Sequence, residues 1–402
     1  MIPYPSKQKS FILFLLIAIF FSSCSSFHYH SRVVFWNFPG PNDHKKFPKD
    51  IIQKADDTYH FSKGTPSQEA EIYRHLQLSF SGEGVANVED VDRHLKKLKT
   101  NTLLVIRNDT LAFERYYRGY HQESIQTGFS ITKSVVSLLV GKAIEEGKLE
   151  SIDLPISDYI PELLDQDARF QEITIRQLLE MSSPICHHEM KDGLKAYYSP
   201  DLQELVFTKL KWCGYPSDGY DYNHYNAILV GILLERITDT RISNYFENHI
   251  WSKIGTEANA SWSTDKKAQI MMAAGINAKA IDFAKLGKLV LDEGQWNKDE
   301  LIDKKWLQES IHSRDPLYWY SVRNSTDFYA MGLRGQILYI SPKLNTIILR
   351  LGSSRLNFKK TKADSSRLDS FKREFAGSNL ARQIRKFAEQ LHTSNELASA
   401  SK

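Results

Sequence analysis

Apolar residues are distributed along the chain in different ways at its ends and in its middle. Thr102–Arg107 and Thr110–Tyr117 are rich in β-branched and aromatic residues and flank the turn-forming pair Asn108-Asp109, so they predict a β-hairpin. Far along the sequence, Gln336–Ser341 and Asn345–Leu351 flank Pro342-Lys343-Leu344 in the same manner. Two hairpins so far apart can share one antiparallel sheet. Between them the pattern is helical. Val136, Leu139, Val140 and Ala143 recur at intervals of three and four, which predicts a helix from Ser130 to near Gly147. Ala227–Ile237 is apolar on nearly every face, as a buried helix would be. Asn277–Asp292 begins on a good capping residue and stops before Gly294, predicting a third helix. Leu380–Leu391 can close the chain as a helix. The expected fold is α/β of the α+β type: an antiparallel sheet from both chain ends, flanked by helices, with an inserted all-helical lobe.

The first residues follow another rule. Phe11–Phe21 is an unbroken apolar run preceded by Lys7 and Lys9. As a helix it rises about 16 Å, short of the roughly 30 Å of a bilayer core. With its small-residue exit Ser22-Ser23-Cys24 it reads as an export signal over residues 1–23. It resembles a bacterial lipoprotein signal, in which the cysteine becomes the lipidated N-terminus. Phe21 stands where such signals usually carry Leu, so plain secretion and an uncleaved anchor stay open. The lipid reading implies a protein of the bacterial cell envelope, anchored to a membrane and facing the periplasm or the exterior. Residues 24–75 then form a linker or arm, polar and aromatic with several prolines to about Lys63 and without helical periodicity there. The main folded unit spans 76–391, and 392–402 is a flexible tail.

Composition limits what the chain can be. It has 402 residues, 42% hydrophobic and 25% charged, enough for a substantial core, which excludes a fibrous or disordered protein. Its 52 basic and 48 acidic residues leave +4, too little for a nucleic-acid footprint, so nucleic acid is not an expected partner. That charge is unevenly placed. A polar insertion at 353–378 holds seven basic residues against Asp364, Asp369 and Glu374, and reads as a solvated surface. Beyond Cys24, Cys186 and Cys213 remain. In an oxidising space they either pair or stay as two separate buried thiols, since nothing in the sequence fixes their distance.

The chemistry concentrates at Ser130. Ser-x-x-Lys occurs four times, beginning at Ser6, Ser130, Ser263 and Ser399, but only Ser130 opens a strongly periodic helix. Three residues make almost one turn there, so Lys133 projects on the same face as Ser130. A serine hydroxyl needs a base to become a nucleophile, and a lysine serves if it is neutral. Bringing a lysine from about 10.4 to about 7 takes roughly 4 kcal/mol of burial and neighbouring charge. The site must therefore be closed and partly apolar. A helix N-terminus also offers N–H groups and a positive dipole end to an oxyanion.

With these residues the chain resembles the serine β-lactamase and penicillin-recognising superfamily, in the branch of class C β-lactamases, family VIII-type esterases, D-aminopeptidases and 6-aminohexanoate-dimer hydrolases. The resemblance spans about Thr102 to Leu351. It is carried by FSITKSVVSLLVGKAIEEGKL, ITIRQLLEMSS, DYNHYNAILVGILLERIT, MMAAGINAKAIDFAKLGKLVLDEG and GLRGQILYISP, in that order. It implies an acyl-enzyme on Ser130, with Lys133 and Tyr222 sharing the proton. Tyr222 would exchange its proton once Lys133 lowers its pKa. Two departures stand out. The second motif, usually Tyr-x-Asn, reads Tyr222-Asn223-His224, so His224 replaces the asparagine and Asn223 or Asn226 could compensate. The third, usually Lys-Thr-Gly or His-x-Gly, aligns with Ala330-Met331-Gly332 and has no cation in first place. By analogy with the nylon-oligomer hydrolases, the Leu333 N–H after Gly332 pairs with that of Ser130 as the oxyanion hole.

The resulting expectation is an exported serine hydrolase cleaving an ester, amide or short peptide, with no metal or cofactor. Its rivals are a β-lactamase, a D-amino-acid or peptidoglycan peptidase, and a penicillin-fold binding protein that has lost turnover. His187-His188-Glu189 lacks the spacing of a chelator and reads as a loop, and Gly332-x-x-Gly335 reads as a tight turn rather than a phosphate loop.

Overall fold

The computed structural model describes residues 38–81, 84–322, 324–354 and 384–392, together with 32, 35 and 36. The export segment, Cys24 and nearly all of the 353–378 insertion lie outside the described residues, as does the 393–402 part of the expected tail. Along the chain, β1 (Lys49–Ile52) and β2 (Ser62–Lys63) precede helices α1 (Pro66–Ser79) and α2 (Val88–Lys97). The expected hairpin follows as β3 (Thr100–Arg107) and β4 (Thr110–Tyr116), then β5 (Ile125–Thr127) and α3 (Ile131–Glu145). The helical lobe comprises α4 (Ile175–Leu179), α5 (Glu189–Tyr198), α6 (Leu202–Lys209), α7 (His224–Thr238) and α8 (Ile242–Phe246). The chain returns through β6 (Ala260–Ser263), β7 (Ile276–Lys279), α9 (Ala280–Leu291), a small hairpin β8 (Gln295–Trp296) and β9 (Asp299–Glu300), and α10 (Lys304–His312). It ends on β10 (Tyr320–Ser321), β11 (Phe328–Gly332), β12 (Gln336–Ser341) and β13 (Thr346–Gly352).

The two distant hairpins do share a sheet, of order β10-β11-β12-β13-β3-β4-β2. Its central seam is antiparallel, with Ile348 opposite Val105 and Leu349 opposite Leu104. Both strands are buried almost throughout because α9 packs on this part of the sheet and α2 also packs on β3. That double cover explains their continuous apolar sequence. Asn108 and Asp109 both take left-handed backbone, the conformation that lets a two-residue turn match the twist of its strands. Residues 384–392 form a helix that buries Ile384, Phe387, Ala388 and Leu391.

Two expectations change. The 24–75 segment is not a free arm over its described part: β1 pairs with β6, β2 runs parallel to β4, and Gln68 and Thr65 cap α1 reciprocally. A four-residue strand with alternating burial carries too little pattern to be read from sequence. The third helix starts at Ala280 rather than Asn277, because Ile276–Lys279 is taken by β7 between β5 and β6. Asn277 is buried and bonded to Thr127 and Ser261 rather than capping a helix.

Candidate active site

Ser130 is positioned by a forced turn between β5 and α3. Gly128 packs so closely on Phe283 that a Cβ would come within 2.8 Å of its ring, and Phe129 holds a left-handed φ of 48°. A buried aromatic residue rarely accepts that backbone, so the surrounding packing imposes it. Ser130 then stands at the N-cap of α3 with its side chain making no capping bond. The hydroxyl is turned toward catalysis instead.

Lys133 is one turn into α3 and buried, with Nζ 3.0 Å from Ser130 Oγ, 2.9 Å from Tyr222 Oη and 2.9 Å from the carbonyl of Ala273. Tyr222 donates to Ser130 Oγ at 2.7 Å. Burial lowers the Lys133 pKa to about 7, with Glu189 opposing the shift. A neutral amine closes this cycle of bonds: its two N–H groups reach Tyr222 and Ala273, its lone pair accepts the Ser130 proton, and the phenol donates to Oγ. Tyr222 differs from expectation. Burial pushes its pKa above the usual phenol value, so its proton stays on and Lys133 is the group poised as base.

The opposite side of Ser130 is the end of β11. A Cβ on Gly332 would lie 2.4 Å from the Gly128 carbonyl and 3.0 Å from the Ser130 nitrogen, so only glycine lets the strand approach this closely. Leu333 follows and lines the cleft, and the chain turns through Arg334 in left-handed backbone. Two buried side chains that gave no signal in the sequence fix this turn. Gln336 donates to the carbonyls of Leu333 and Gly352, and the Arg350 guanidinium donates to those of Arg334 and Gly335. Arg334 in turn donates to the Pro39 carbonyl and sits 4.8 Å over the Phe38 ring.

The cleft has a volume of about 210 Å³. Phe129, Tyr197, Ile228, Met271 and Met272 give it apolar walls, and Phe38 and Pro39 from the N-terminal segment complete them. Glu189 is the acidic group among the described lining residues, and no Arg or Lys is among them. His187-His188-Glu189 is not a plain loop: His188 caps α5 by accepting from the Lys191 N–H, and Glu189 opens that helix. Among the described residues no cluster of three or more His, Cys, Asp or Glu is arranged to hold a metal ion.

The remaining expected residues separate. His224 lines the cleft, its ring edge-on to Tyr222 with centroids 5.3 Å apart. Asn223 does not compensate for it. Its Oδ1 caps α7 through the Tyr225 N–H and its amide donates to the Ile185 carbonyl. Asn226 is also spent elsewhere, accepting from Ser183 and donating to the Leu178 carbonyl. Both are buried, whereas His224 between them is only partly so. Cys186 and Cys213 form a disulfide, the alternative that the sequence left open.

A profile of the Beta-lactamase family matches residues 88–365, more than half of the chain. The chain belongs to the Beta-lactamase family. A 6-aminohexanoate-dimer hydrolase of Paenarthrobacter ureafaciens is 21% identical over 298 residues, covering 66% of this chain and 75% of the relative. Among solved structures, a Bacillus anthracis protein assigned as a 6-aminohexanoate-dimer hydrolase aligns with a TM-score of 0.67 and 20% identity, over 90% of this chain and 95% of its own. A class C β-lactamase aligns with a TM-score of 0.54 and 13% identity, over 84% and 99%. At such identities the structural likeness speaks for the fold, which is that of the family. Family membership makes the protein a serine hydrolase, and the Ser130, Lys133 and Tyr222 side chains meet in its cleft.

Proposed function

We propose that the protein is an exported, lipid-anchored serine hydrolase that cleaves a linear amide or ester through an acyl-enzyme on Ser130. One observation carries the reading: a buried lysine, with a pKa near 7, lies within bonding distance of both the Ser130 hydroxyl and the Tyr222 phenol. Lys133 takes the Ser130 proton as Oγ bonds to the carbonyl carbon. The N–H groups of Ser130 and Leu333 receive the oxyanion. As the carbon–nitrogen or carbon–oxygen bond breaks, Tyr222 protonates the leaving group and is reprotonated by Lys133. Water then repeats the sequence on the acyl-enzyme, with the proton returning to Ser130.

The cleft supports a linear substrate over a β-lactam. Without an Arg or Lys among its described lining residues, it offers no counterion to the carboxylate that β-lactams carry, whereas its apolar walls suit an acyl chain. The name of the Paenarthrobacter relative, a 6-aminohexanoate-dimer hydrolase, supports cleavage of an amide. Export is supported by the apolar N-terminal run and by the Cys186–Cys213 disulfide. In a panel of short esters, linear amides, β-lactams and D-Ala-terminated peptides, the linear esters and amides should be turned over fastest. An activated phosphonate should label Ser130, and Ser130→Ala should abolish both labelling and turnover. Labelling that survives on another residue would overturn the assignment.

A further inference from the structure

The cleft wall carries the His224 imidazole, and its surroundings are built for that ring. The α5 backbone crosses it at Gly193, where a Cβ would come within 2.9 Å of His224 Cε1. A glycine inside a helix costs about 1 kcal/mol relative to alanine, so the space has a stability cost. His224 Nδ1 lies 3.3 Å from Nε2 of His187. The His187 side chain is fully buried, edge-on to Tyr225, and its Nδ1 has no hydrogen-bond partner but lies 4.0 Å from the Asp221 carboxylate. The Asp192 carboxylate acts on the same ring. With two carboxylates nearby, the proton of a neutral His187 belongs on Nδ1. Its Nε2 is then a bare acceptor, so His224 donates from Nδ1 and keeps its own lone pair on Nε2. Lys133, Tyr222, Glu189 and His188 are the other titratable groups facing this pair, and burial holds His224 well below the usual imidazole range, so it stays neutral whether or not Lys133 carries its proton.

We propose that His224, with its tautomer set by His187, is a specificity residue whose Nε2 accepts a hydrogen bond from the acyl part of the substrate. The substrate class is an acyl group bearing a neutral donor, an amide N–H or a hydroxyl, within reach of the scissile carbonyl. His224 and Ile228 are four residues apart on α7 and both line the cleft, which places the acceptor on the same wall as the apolar surface for an acyl chain. This inference rests on the acyl-enzyme reading.

The test uses p-nitrophenyl esters of ω-hydroxyalkanoic acids with one, two, five or six methylenes, lengths at which the hydroxyl does not close a five- or six-membered lactone, each paired with the alkanoate of equal length. The wild-type enzyme should prefer the hydroxyl at one length or more, and His224→Leu should reduce that ratio of kcat/KM roughly tenfold, chiefly through KM. His187→Phe should reduce it in the same direction, by releasing the tautomer, and replaces His224→Leu as the decisive variant if that protein fails to fold. His224→Asn should retain part of the preference through its amide oxygen. A wild-type enzyme with no preference at any length overturns the proposal. So does a preference that survives His224→Leu, or one lost in Glu189→Gln while His224→Leu keeps it. Phosphonate labelling of Ser130 in every variant separates these outcomes from failure of the acyl-enzyme itself, which would show as no wild-type labelling.

Discussion

As the proposed base, Lys133 should set the pH dependence of the reaction. The amine is a base only without its proton, so kcat/KM on an uncharged ester should rise tenfold per unit to about pH 7 and level above it. A profile flat from pH 5 to 9 would rule out Lys133 as the base. The same shift acts on folding. The unfolded lysine holds its proton to about 10.4, and the folded one loses it near 7; between these values the unfolded state binds more protons, and stability rises with pH. That gain should be absent from Lys133→Met, which should melt at higher temperature near pH 7 while failing to acylate. Ser130, Lys133 and Tyr222 were legible in the sequence because helical spacing fixes the first two and the motif order places the third. Arg350 and Gln336 were not. They act by donating to carbonyls of a turn, and any buried polar residue on a strand looks the same in one dimension.

At the scale of elements, the site depends on loops that the lobe ties down. The disulfide joins the 184–188 loop to 211–213, where Cys186 donates to the Lys211 carbonyl and Cys213 to that of Pro184. Asn223 holds the same loop through the Ile185 carbonyl. His187 follows Cys186 directly, so this clamp is what orients it. Replacing both cysteines with alanine should cost roughly 3 kcal/mol of stability for a separation of 27 residues. Denaturant melts of the variant, and of the native protein with and without reductant, measure it. The donor preference assigned to His224 should weaken in parallel, whereas phosphonate labelling of Ser130 should persist, since Ser130 and Lys133 stand at the start of α3 and Tyr222, just before α7, lies outside the 186–213 segment that the disulfide closes.

At the scale of the whole molecule, the N-terminal segment joins the proposed membrane anchor to the cleft. Phe38 and Pro39 line the cavity and are held by Arg334 of the turn at Leu333, while β1 completes the four-stranded sheet. The catalytic cleft would thus lie within a short stretch of chain from Cys24. Among the described residues no helix is long and apolar enough to cross a membrane. The apolar run Phe11–Phe21 and Cys24, on which the anchor proposal rests, lie outside them. Cys24→Ser should move the protein from the membrane fraction to the soluble fraction of the envelope with its turnover unchanged. Retention in the membrane after that substitution would favour an uncleaved anchor.

The sequence by itself determined the two hairpins of the large sheet, the buried helices α3 and α7, and that Ser130 and Lys133 are neighbours; it allowed the two hairpins to share a sheet without requiring it. These properties follow from local periodicity and from the fixed geometry of a helix turn. Only the tertiary structure decided the rest: that Asn223 and Asn226 face the protein interior, that Tyr222 keeps its proton, that Cys186 meets Cys213, and that His187 stands behind His224. Each of these depends on distances between segments remote in sequence, and on the loss of water around groups whose burial no local pattern encodes.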